Sequence, residues 1–142
     1  MRSYLVIGNQ TLDSAELADA IRERIEQGPA TFHLVVPATP VSRLLTWDED
    51  EARELASERL TDALDRLGAT GVEATGEIGV PDPIQATRDA LRGRDVDEII
   101  LSTLPPGISR WLGQDVPTRL KESVSDPVVV VTTNRQGAVP QP

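Results

Sequence analysis

The chain contains no cysteine. That excludes a disulfide scaffold, a thiolate metal site and a thiol nucleophile, and it fits a reducing compartment. Aromatic residues make up 3% of the sequence, so aliphatic side chains and alanine must build the core. Positive charge is also short. With 14 basic and 23 acidic residues the net charge is −9. Such a chain repels nucleic-acid phosphates and anionic lipid, so neither nucleic acid nor a membrane is an expected partner. Long apolar runs are missing. The N-terminal "MRSYLVIGNQT" has a run of about five residues, too short for a signal-peptide core or a membrane span. A soluble, cytoplasmic protein is the expectation. Catalytic signatures are absent as well. There is no Gly-x-Ser-x-Gly, no P-loop and no histidine-rich metal spacing. "GNQT" is not a dinucleotide fingerprint, and the reading is against an enzyme.

What is present is a chain of 142 residues, suited to one domain with one core. A chain of this size buries roughly two-thirds of its unfolded surface and needs no metal or disulfide to fold. Short apolar runs alternate with helical patterns. "SYLVIG" reads as a first strand. "DSAELADAIRERIEQG" follows as a helix, with Leu17, Ala20, Ile21 and Ile25 at helical spacing, Asp13 or Ser14 as cap and Gly28 at its end. "TFHLVVPA" is the second strand, ended by Pro37 and Pro40. A loop containing Trp47 leads to a long helix from Asp48 to about Gly68, whose "DEDE" start suits the positive end of the helix dipole. "VEATGEIGV" is the third strand and "DPIQATRDALRGRD" the third helix, with Ile84, Thr87, Ala90 and Leu91 facing inward. "DEIILST" and "DPVVVVTT" complete the set. Their apolar runs, Ile99–Leu101 and Val128–Val131, are continuous, which marks strands buried on both faces of a parallel sheet.

The alternation gives the fold class α/β: a single open, doubly wound, five-stranded parallel sheet with helices on both faces. The domain spans 1–134, and 135–142 reads as a flexible C-terminal tail. In such a sheet ligands bind beyond the carboxyl ends of the strands. Gly8-Asn9, Val36-Pro37, Gly79 and the stretch from Ser102 to Gly107 should meet there.

These residues resemble the universal stress protein family along nearly the whole chain, from Tyr4 to Thr133. "YLVIGN" and "FHLVVPAT" are similar to its first two strands. "GEIGVPDPIQATRDALRGRDVDEIILST" is similar to its most recognisable segment, with Gly79, Pro81, Ile84, Asp97 and Ile100 in the matching positions. "GISRWLGQDVPTRLKESVSDPVVVV" resembles its C-terminal end. The resemblance implies strand order 3-2-1-4-5, as in adenine-nucleotide α-hydrolase-like folds, and a homodimer paired through the last strand.

In nucleotide-binding members of that family the fourth strand runs into Gly-x-x-Gly, nine residues and Gly-Ser or Gly-Thr. Here Ser102-Thr103-Leu104-Pro105 falls on the first element, without its glycines. Gln114-Asp115 falls on the second, or Gly113-Gln114 after a one-residue shift. Where the family carries an acid after the first strand, this chain has Gly8-Asn9. Backbone N–H groups bind phosphate, and Pro105 and Pro106 have none to offer. Pro117 splits the following helix. A short helix should end at Gly113, and a new one should start with Asp115 as its cap and Pro117 in its first turn. The Asp115 carboxylate would then sit where a phosphate would otherwise bind.

The candidate binding residues are therefore Gly8, Asn9, Val36, Ser102, Thr103, Gly107, Arg110 and Asp115, with Arg119 as a further source of positive charge. The plainer reading of Ser102–Gly107 is a turn between sheet and helix. Trp111 lies on the apolar stripe Ile108, Trp111, Leu112, Val116, which favours core packing over ligand stacking. Trp47 suits a lid over the crevice, a partner contact or a hydrophobic staple. His33, inside a strand with no nucleophile nearby, reads as structural. The serines of "SRLL" and "SRWL" sit beside arginines and are at most candidate phosphorylation points. The expected function is a universal stress protein-like regulatory domain, acting by dimerisation and protein contacts, without the usual ATP binding and with no cofactor. The alternative is a sensor of a nucleoside, a nucleotide monophosphate or another small anion.

Overall fold

The computed structural model describes residues 1–39, 49–105 and 109–133, with the side chains of residues 49 and 110 left out. Trp47, Gly107 and the expected tail over 135–142 lie outside the described residues.

Among these residues the element order is β1 (Arg2–Ile7), α1 (Ala15–Glu26), β2 (Ala30–Pro37), α2 (Glu49–Ala69), β3 (Glu73–Gly79), α3 (Pro83–Leu91), β4 (Glu98–Thr103), α4 (Arg110–Gly113), α5 (Val116–Ser123) and β5 (Val128–Thr132). The strands form one five-stranded sheet of order β3-β2-β1-β4-β5. Every neighbouring pair is parallel. The expected α/β sheet and its strand order are therefore observed.

Alternation along each strand sends side chains to two cores. Tyr4, Val6, Phe32, Leu34, Val36 and Ile100 meet Leu17, Ile21, Ala56, Leu60 and Ala63 on the α1 and α2 face. Leu5, Ile7, Val35, Ile99 and Leu101 meet Ile84, Ala90, Trp111, Val116 and Leu120 on the other. Trp111 is thus a core residue. It is buried in one cluster with Val116 and Leu120 of α5.

Local signals set the helix boundaries. The Ser14 hydroxyl accepts from Leu17 N–H and caps α1. Asp82 does the same for α3 by accepting from Ile84 N–H, with Pro83 in the first turn. Ser109 Oγ accepts from Leu112 N–H at 3.1 Å at the start of α4. The "SRWL" serine is therefore buried and already engaged. At the acidic start of α2, Asp50 and Glu51 are exposed.

Two expectations need correction. Ile25 was expected on the inward face of α1 but is 38% exposed. It lies in the last turn of α1, beyond the buried residues Leu17, Ala20 and Ile21. The continuous apolar run of β5 was expected to be buried on both faces, yet each of its residues is only partly buried. β5 is an edge strand, and its side chains have a neighbour strand on one flank only.

Candidate functional site

β1, β2 and β4 end side by side, and that is where the expected crevice residues converge. Gly8 follows β1, and its backbone N–H donates to Val35 O at 3.2 Å. A Cβ on Gly8 would meet Leu12 Cδ2 at 3.1 Å and Ser102 Cβ at 3.3 Å. The chain passes so close to β4 here that only glycine fits without displacing a neighbour.

Asn9 comes next and is buried. Its Nδ2 donates to Pro37 O at 2.8 Å, at the carboxyl end of β2. Its Oδ1 accepts from Arg59 Nη1 at 2.5 Å. Thr11 Oγ1 lies 2.5 Å from Ser102 Oγ, both of them buried. The loop after β1 thus folds down onto the strand ends, and Leu12 is buried with it. The hydroxyl of Ser102, expected to face a ligand, is instead paired with a hydroxyl of the protein.

The other expected residues divide. Val36 is fully buried within β2, and its side chain belongs to the core. The strand-end carbonyl is that of Pro37. Thr103 is buried, with Oγ1 3.4 Å from Thr132 Oγ1, and its carbonyl accepts from Thr133 N–H at 3.0 Å. It secures β5 to β4. Gly107 and the Arg110 side chain lie outside what is described. Arg119 Nη1 points back to Gln114 O at 3.4 Å and caps the α4–α5 turn.

Asp115 is the clear correction. It occupies the residue before α5, as expected, with Pro117 in the first turn. Its backbone, however, is left-handed, at φ 56 and ψ 38, and its side chain makes no cap hydrogen bond. A side-chain cap needs an extended backbone that turns the carboxylate back over the helix start. The left-handed turn is set instead by the α4–α5 junction, where Asp115 N–H donates to Leu112 O and Asp115 O accepts from Arg119 N–H. The expected carboxylate in place of a phosphate does not form.

Arg59 was missed by sequence reasoning. It lies one helical position from the inward stripe of Ala56, Leu60 and Ala63, so periodicity assigns it to the solvent edge. Only its bond to Asn9, 50 residues away in sequence, brings it to the strand ends. Burial pushes its guanidinium pKa down, and the nearby carboxylates of Asp13 and Glu58 act in the opposite sense.

Elsewhere the polar groups have structural work. His33 is buried in β2, with Nδ1 2.7 Å from Thr75 Oγ1 and Nε2 2.8 Å from Glu77 Oε2 on β3. A cleft of about 430 Å³ includes Arg88, Arg92, Arg94 and Ser125. It lies at the amino ends of β4 and β5, opposite the strand-end crevice. Its arginines stand at the end of α3 and complement the dipole there. Among the described residues no group of three or more histidine, aspartate or glutamate side chains is placed to hold a metal. No helix of these residues is long and apolar enough to cross a membrane.

No family model matches the sequence, and no curated protein matches it. Solved structures do. A universal stress protein family protein from Arabidopsis thaliana with AMP bound is similar over 99% of this chain and 97% of its own, at TM-score 0.63 and 12% identity. The universal stress protein from Archaeoglobus fulgidus in complex with dAMP is similar over 92% of this chain and 97% of its own, at TM-score 0.56 and 18% identity. UspA from Lactobacillus plantarum is similar over the same shares, at TM-score 0.58 and 14% identity. At such identities the likeness is one of fold, and the fold of this chain is that of the universal stress proteins.

Proposed function

We propose that this chain is a universal stress protein-like regulatory domain of the cytoplasm that does not take ATP in the usual way. It acts through homodimerisation and protein contacts rather than catalysis. The observation that carries the reading is the occupied strand-end floor. Asn9 already holds the Pro37 carbonyl, and Thr11 already holds the Ser102 hydroxyl. A ligand there would have to break buried hydrogen bonds before making its own. The segment after β4 offers no glycine at the positions where the family's phosphate loop has them.

Dimerisation is supported by β5. It is an edge strand of four successive valines and a threonine, all partly exposed in the single chain. An uncovered aliphatic edge is an aggregation hazard, and pairing with a second copy removes it. Light scattering across a wide concentration range tests this. A dimer is expected, and a monomer at every concentration overturns the dimerisation reading.

A second reading, a sensor of a nucleotide monophosphate or another small anion, is favoured by Arg59. A cation stands at the strand ends of a chain whose net charge is −9. The AMP and dAMP complexes of two proteins of the same fold support it too.

A further inference from the structure

We propose that Arg59 is an anion receptor: its guanidinium holds one small oxyanion, a phosphate monoester or a carboxylate, at the strand ends beside Asn9. The inference deepens the sensor reading and rests on it.

The geometry begins with Asn9. Because its Nδ2 is committed to Pro37 O, its Oδ1 is fixed outward, and it accepts from Arg59 Nη1. The amide thus sets the plane and reach of the guanidinium. Nη2 and Nε carry further donors. Among the described residues Asn9 is the acceptor Arg59 uses, and no carboxylate lies within salt-bridge distance of it.

Three other arginines have carboxylate partners. Arg24, well buried, meets Glu98 at 2.9 Å. Arg22 meets Asp19, and Arg92 meets Asp89 at 3.8 Å, although both arginines are largely exposed. Arg59 is half-buried, and among the described residues its direct hydrogen-bond partner is the neutral amide of Asn9. A guanidinium does not shed its proton under ordinary conditions, so partial burial with no carboxylate in direct contact costs desolvation that Asp13 and Glu58 offset only in part. Asp13 and Glu58 act on it only through space.

An oxyanion meets this demand. A planar guanidinium binds phosphate or carboxylate through paired N–H donors, and such charge-assisted bonds are the strong ones. The site is small. Ser102 and Pro105 stand where the family's phosphate loop has its first glycines, and Asn9 occupies the Pro37 carbonyl at the end of β2. The ligand is therefore recognised by its single charged group and not by an adenine.

The test uses the full chain at constant ionic strength, since screening alone changes weak anion binding. Inorganic phosphate, acetate, AMP and adenosine are titrated separately, with backbone amide NMR shifts and calorimetry as readouts. Saturable binding of phosphate or acetate to the wild type is expected, with shifts centred on Asn9 and Arg59. AMP should follow phosphate, and adenosine should give nothing. Arg59→Gln should weaken binding at least about tenfold, and Arg59→Lys, which keeps the charge but not the fork, several-fold. Phosphate binding above acetate assigns the site to phosphate monoesters, and the reverse assigns it to carboxylates.

The inference is overturned if neither anion saturates the wild type, or if Arg59→Gln binds as the wild type does. Melting curves establish that each variant is folded. If Arg59→Gln is not, unchanged affinity in Arg59→Lys overturns the proposal instead. Failure here leaves the dimerisation reading intact. Micromolar binding of adenosine would instead sink the reading that the usual nucleotide site is absent, whatever Arg59 does.

Discussion

The Thr11 hydroxyl lies 2.5 Å from the Ser102 hydroxyl, across 91 residues of sequence, with both side chains buried. This pair fastens the loop after β1 to the end of β4. A buried hydroxyl that loses its partner retains the full cost of its desolvation. Thr11→Val alone should therefore destabilise the protein by about 1–3 kcal/mol. Ser102→Ala alone should cost a similar amount. Thr11→Val with Ser102→Ala should cost clearly less than the sum, because neither site then holds an unpaired group. Urea denaturation of the four proteins closes the cycle. Strictly additive losses would show that the two hydroxyls do not interact.

Asp115 gives a prediction whose sign separates two accounts. As a helix cap its replacement by glycine would cost a few tenths of a kcal/mol, and by alanine about 1 kcal/mol. With φ 56 and no side-chain cap bond, the residue instead sits in the left-handed region, which aspartate tolerates at some cost and glycine enters freely. Asp115→Gly should raise stability by roughly 0.5 kcal/mol. A lowered melting temperature for Asp115→Gly would restore the capping role.

Gly79 fills one of the positions that the resemblance singles out, and the structure gives a packing reason for it. A Cβ there would lie 2.6 Å from Ala86 Cβ and 3.3 Å from Val35 Cγ1. Helix α3 rests directly on the end of β3 at this point. Gly79→Ala should cost about 1–3 kcal/mol by overpacking. Reducing the volume on the other side, with Gly79→Ala and Ala86→Gly together, should recover part of the loss when both variants are melted side by side.

Much of this was legible in the sequence, and the limits have physical reasons. Continuous apolar runs at Ile99–Leu101 and alternating helical stripes disclosed a parallel sheet with helices on both faces, because burial on two faces leaves no place for polar alternation. Pro117 and Gly113 marked the break between α4 and α5, because proline cannot continue a helix interior. The floor of the site was less legible. Asn9, Pro37 and Ser102 were placed at the strand ends by topology, but Arg59 and Thr11 were not, and each is distant in sequence from the residue it pairs with. No local pattern pairs them. Asp115 misled because sequence identifies a capping residue type, whereas its backbone conformation comes from the turn before it. Val128–Val131 misled in part for a similar reason. A valine run marks a strand, and its place at the sheet edge is decided by topology.

At that edge, Val131 joins the core beside α1 and α2, while Val128 and Val130 join the other. Val129 is partly exposed and packs in neither cluster. If β5 is the dimer strand, Val129→Lys places two cations close together across the pair. The dissociation constant should then rise at least about tenfold. Sedimentation over a concentration series reads this directly, and an unchanged dimer would move the interface elsewhere.

The central claim is that protein groups already occupy the strand-end floor, so that the usual nucleotide site is not formed. Calorimetric titration of the wild-type chain with ATP and Mg²⁺ tests it most directly. The account predicts no saturable heat at micromolar nucleotide, and at most weak binding that adenosine does not share and Arg59→Gln abolishes. Micromolar affinity for ATP, matched by adenosine competition and indifferent to Arg59, would contradict it.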